Sequence, residues 1–108
     1  MSQEATATKT EPEVLLDIRD HIATITLNRP ERRNALTPLL TRLLHDAWQQ
    51  IENDPAVRVA ILTATSCGTF CAGMDLREAA RLKAETGKDI LEQLTDPFNH
   101  SMRAMRKP

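Results

Sequence analysis

The stretch GTFCAGMDL, residues 68–76, carries the residue types best suited to chemistry. It lies between an apolar run, VRVAILTAT, and a helix-like segment, LREAARLKAE. Gly73 lets the backbone turn sharply or approach a ligand, and Ala72 keeps the neighbouring wall low. Asp75 and Glu78 have the D-x-x-E spacing of a capping box, so a helix is expected to begin at Asp75. Backbone N–H groups at a helix start have no partner within the helix, and the helix dipole favours negative charge in front of them. A strand, a small-residue turn and a helix N-terminus can therefore form an anion or oxyanion pocket. The same residues also fit a plain turn whose Gly and Ala serve packing only.

Other reactive side chains make a weaker case. Cys71, near the expected helix start, could have a lowered pKa. It could pair with His21, His45 or His100, but no motif links them to it. A buried, inert thiol is the simpler reading. Cys67-x-x-x-Cys71 is half a zinc site without the other half, so no metal is expected. Glu78, Glu85 and Glu92 recur every seven residues, as on a solvated helix face, and Asp75 reads as a cap rather than a base.

These residues need elements to hold them. VLLDIRD and HIATITLN each alternate apolar and polar residues and are joined at Asp20–His21, so they predict a β-hairpin. NRPERRNALTP is a loop, marked by Pro30, Asn34 and Pro38. Thr37 reads as an N-cap with Pro38 at the first helical position. Leu40, Leu43, Leu44, Ala47, Trp48 and Ile51 then predict an amphipathic helix over 38–53. Val57 to Leu62 is nearly continuous and apolar, as in a strand covered on both faces. Strand, helix, strand is a βαβ unit, which favours parallel pairing. A second helix is expected from Asp75 to about Thr86, and a third over roughly 88–106, interrupted at Pro97.

Bulk properties narrow the function classes. The chain has 108 residues, with 14 basic and 15 acidic side chains. That balance offers no bulk attraction for nucleic acid or an anionic membrane. Phe70, Phe98 and Trp48 are the only aromatic residues, too few for a base-stacking surface. No run reaches the roughly 18 apolar residues of a membrane helix. Two cysteines without a secretory signal make a reducing, cytoplasmic location the expectation. Residues 1–12 read as a disordered lead.

ITLNRPERRNALT, 25–37, and VAILTATSCGTFCAGMDLRE, 59–78, together resemble the enoyl-CoA hydratase/isomerase (crotonase) superfamily. The likeness runs over residues 13–108 and implies an α/β fold, the crotonase-like spiral of ββα units, of which only the first part is expected here. It also implies acyl-CoA thioester chemistry through a stabilised enolate, with 2-enoyl-CoA hydration or isomerisation leading. Coenzyme A would enter as part of the substrate, not as a cofactor. Relatives hold the thioester oxygen between two backbone N–H groups, and the resemblance assigns the first to Met74. It implies phosphate contacts for Arg33 and Arg77, and a coenzyme A path along Ala35 and Ala72, with Gly73 and Asp75 at the turn. Arg29 and Arg32 are expected to face solvent. TATSCGTF, with a single Gly68, departs from the Gly-rich loop of many relatives. Relatives form trimers and pairs of trimers, so a homo-oligomer is implied for a complete protein. The chain is expected to stop before the second oxyanion donor and the acid/base residues, and so to be catalytically incomplete. A non-catalytic acyl-CoA binder or assembly partner is the alternative.

Overall fold

The computed structural model describes residues 11–87. The expected lead up to residue 10 and the third helix, with Glu92, Phe98 and His100, lie outside them. Strands β1 (Val14–Arg19), β2 (Ile22–Leu27) and β3 (Val59–Ala64) form one sheet in the order β1-β2-β3. Helix α1 (Pro38–Glu52) lies between β2 and β3 in the chain, and α2 (Leu76–Thr86) follows β3.

The hairpin forms as expected. β1 and β2 pair antiparallel with Arg19 opposite Ile22. Asp20 and His21 both have positive φ, 53° and 68°, which is the backbone of a two-residue turn matched to strand twist. His21 also starts β3: its carbonyl accepts from Arg58 N at 2.8 Å, and its Nδ1 lies 2.8 Å from the Ala56 carbonyl oxygen. β3 runs parallel to β2, with Ile25 opposite Leu62.

Alternation puts Ala23, Ile25 and Leu27 on one sheet face. They pack on Leu40, Leu44, Ala47, Trp48 and Ile51 of α1, with Val57 closing the cluster. α1 begins as expected: Pro38 occupies its first turn and Thr37 Oγ1 accepts from Leu40 N at 3.1 Å. Such a cap stabilises a helix by about 1 kcal/mol.

The expectation for β3 holds on one face only. Leu62 and Ala64 pack against the core, but Val59 and Ile61 are 53% and 46% exposed. α1 covers a single face, and no described element covers the other. No helix among the described residues is long and apolar enough to cross a membrane.

Candidate functional site

Two loops leave the same end of the sheet. One follows β2, runs through a single 3-10 turn at Pro30–Arg32 and reaches α1. The other follows β3 and reaches α2. They meet in a short parallel bridge between Leu36 and Met74. Leu36 N donates to the Gly73 carbonyl at 2.6 Å, and Asp75 N donates to the Leu36 carbonyl at 3.0 Å. Ala72 N donates to the Arg33 carbonyl at 3.1 Å. In a parallel pairing only alternate residues of a strand face the partner. The Met74 N–H is therefore turned away from Leu36, and it has no acceptor among the described residues.

Beside the bridge lies an open cleft of about 450 Å³, lined by Glu31, Arg32, Arg33, Ala35, Ala72, Met74, Asp75, Leu76 and Arg77. The structure thus brings Arg33, Ala35, Ala72, Met74, Asp75 and Arg77 to one cleft. Gly73 supplies the turn between them. Its φ is +88°, and a Cβ built there would meet no atom within 4 Å. The need for glycine is conformational.

Asp75 caps α2 as expected, accepting from Glu78 N at 2.9 Å. The reciprocal half of the capping box does not form. Asp75 N is already committed to Leu36, and the Glu78 carboxylate pairs with Arg81. Burial pushes the Asp75 carboxyl up, but the Glu78 N–H and the Arg29 and Arg32 guanidinium groups outweigh it and hold the pKa below the ordinary value. The hydrogen bonds from Arg81 lower Glu78 as well, against its burial.

Arg29 corrects the sequence reading. Expected to face solvent, it is buried, at 8% exposure. One terminal nitrogen donates to the Ala35 carbonyl at 2.7 Å and the other to Asp75 Oδ2 at 3.1 Å. Its Nε lies 3.3 Å from Glu13 Oε2. A buried carboxylate at the cap needs a counter-charge, and Arg29 supplies it. Arg32 is only partly exposed and stands 3.5 Å from Asp75 Oδ1, a looser ion pair.

Asn34, read from sequence only as a loop marker, joins the two loops. It is fully buried and has φ +57°. Its Oδ1 accepts from Arg29 N at 2.8 Å, and its Nδ2 donates to the carbonyls of Thr65 at 3.2 Å and Thr69 at 3.3 Å. The signals were present: asparagine is among the non-glycine residues enriched at positive φ, and an arginine two positions beyond a buried strand must find acceptors if the chain turns inward. Neither signal names its partners.

Of the histidines offered as partners for Cys71, His100 lies outside the described residues and His21 is far from the thiol. His21 sits at the start of β3 and Cys71 beyond its end, roughly 20 Å of strand away at 3.3 Å per residue. Cys71 packs against the core, and Cys67 Sγ donates to the Thr69 carbonyl at 3.2 Å.

A profile of the family described as enoyl-CoA hydratase/isomerase matches residues 17–106. Enoyl-CoA hydratase EchA19 of Mycobacterium tuberculosis is 44% identical over 70 residues, covering 65% of this chain and 26% of that protein. Hydroxycinnamoyl-CoA hydratase-lyase of Pseudomonas fluorescens is 42% identical over 80 residues, covering 74% of this chain and 28% of that protein. Among solved structures, an enoyl-CoA hydratase of Mycobacterium tuberculosis superposes with a TM-score of 0.62 at 45% identity, covering 74% of this chain and 32% of that one. The chain therefore spans about a third or less of the length of these relatives, and its α/β arrangement is part of their fold.

Proposed function

The chain belongs to the enoyl-CoA hydratase/isomerase family, and from that premise we propose that its cleft receives an acyl-CoA thioester. The Met74 N–H is one donor to the thioester oxygen, and Arg33 and Arg77 face the phosphates of coenzyme A. The observation that supports this most is the Leu36–Met74 bridge, which leaves the Met74 N–H without a described partner at an arginine-lined cleft. A donor held in place before the reaction stabilises charge as it develops on the carbonyl oxygen, at no cost of reorganisation. Guanidinium groups suit phosphate through paired hydrogen bonds.

For the whole protein, the proposed reaction is hydration of a 2-enoyl-CoA or isomerisation of its double bond. A second reading, binding without turnover, is favoured by the carboxylates at the turn. Asp75 and Glu78 are both held below ordinary carboxylate values. A general base for neutral pH works best with a pKa near 7, so neither is assigned that role here.

Calorimetric titration with coenzyme A and with crotonyl-CoA tests the reading. Saturable binding of both is expected, tighter for the thioester. Absence of binding by either at about millimolar concentration, where even −4 kcal/mol would register, would overturn it. Loss of the enoyl absorbance on mixing would reject the binder reading in favour of catalysis.

A further inference from the structure

The Arg29 side chain touches three separate parts of the chain. Glu13 precedes β1, the Ala35 carbonyl belongs to the wall before α1, and Asp75 caps α2. Ala35 and Asp75 both line the cleft, one from each loop. Each also neighbours a bridge residue, Leu36 on one side and Met74 on the other. The two bridge hydrogen bonds thus lie between two residues that a single guanidinium grips. The backbone of Arg29 makes its own contacts, accepting from Arg32 N and Asn34 N. Replacing the side chain leaves those in place.

We propose that Arg29 is the positioning residue of the cleft, holding the Ala35 wall and the Asp75 cap at one spacing so that the Leu36–Met74 bridge stays closed and the Met74 N–H keeps its direction. The proposal rests on the acyl-CoA reading for its functional consequence. Arg29 acts through Asp75 and Ala35. Lysine cannot replace it, because a single ammonium on a flexible stem cannot copy the rigid fork that serves two acceptors at once. The arrangement also explains why a charged side chain lies under the cleft. A neutral residue there would leave the buried Asp75 carboxylate its cap hydrogen bond from Glu78 N but only the looser Arg32 as counter-charge.

The test compares the full chain with Arg29→Lys by amide hydrogen exchange and by crotonyl-CoA titration, under conditions where both are folded. The Leu36 and Asp75 amides report the bridge, and the Ile25 amide reports the core strand. The expected result is exchange at Leu36 and Asp75 at least about tenfold faster relative to Ile25, because local opening is separable from global unfolding. Crotonyl-CoA affinity should fall about tenfold with it, as misplaced contact groups lose binding and rate together. A merely structural role would speed all three amides alike and leave the affinity of the folded protein unchanged. That result, or an unchanged bridge, overturns the proposal, and an open bridge with unchanged affinity overturns its link to the ligand. If the wild-type chain does not bind crotonyl-CoA, the functional reading fails on its own, and the exchange ratio still decides whether Arg29 holds the bridge. Should Arg29→Lys not fold, Asp75→Asn serves instead. Asparagine caps a helix as well as aspartate does but removes the charge that Arg29 grips, and the same outcomes apply.

Discussion

Asn34→Ala tests the junction of the two loops most directly. The substitution deletes the acceptor of Arg29 N and the donor to the Thr65 and Thr69 carbonyls. Stranding a buried N–H costs about 1–3 kcal/mol, and each lost hydrogen bond of ordinary strength costs about 0.5–1.5 kcal/mol. Alanine must also adopt φ +57°, which costs about 1 kcal/mol that asparagine largely avoids. The expected loss is roughly 3–7 kcal/mol, a large share of the total stability of a small domain. Asn34→Gly loses the same hydrogen bonds without the φ strain and should retain about 1 kcal/mol more than Asn34→Ala. Urea unfolding followed by fluorescence reads both, because Trp48 is the single tryptophan and is buried in the core. A loss below about 1 kcal/mol for Asn34→Ala would refute the claim that this side chain joins the loops. Equal losses for the two variants would refute the strain argument.

Three further outcomes follow from the same geometry. The Asp75 carboxyl is held below its unfolded value, so its contribution is present above the ordinary carboxylate range and is lost as pH falls through the folded pKa; urea midpoints taken downwards from neutral pH should decline on that acid limb, and a limb equally steep in Asp75→Asn would sink the assignment. Gly73→Ala should cost about 1–2 kcal/mol through its positive φ, with no clash to relieve; a neutral effect in thermal melts would show that the turn relaxes freely. Arg33→Ala and Arg77→Ala should each weaken coenzyme A binding and flatten its salt dependence; unchanged affinity in both would remove the phosphate role.

Much of this architecture could be read from residue order because it depends on local rules. The alternation of Ile18, Ala23, Ile25 and Leu27, the Asp20–His21 join and the three-and-four spacing from Leu40 to Ile51 each specify an element without reference to distant residues. Thr37 and Asp75 mark their helix starts because a cap is satisfied within three positions. The family likeness pointed to Met74 and the two arginines in the same way, through short contiguous motifs.

What the sequence by itself determined, then, was the kind of each element and where the small-residue turn falls. Tertiary structure alone decided the partners. Whether Arg29 faces water or holds Asp75 depends on a contact across 46 positions, and no local pattern encodes the stranded carboxylate that demands it. Asn34 joins loops 31 and 35 residues apart. The capping box failed in its second half because Asp75 N was taken by Leu36, on another loop. β3 reads as fully buried because its composition records only how apolar it is. Exposure depends on which elements lie against each face, and α1 lies against one. Propensity and periodicity are properties of neighbours along the chain, whereas the burial of a charge and the satisfaction of a hydrogen bond are properties of neighbours in space.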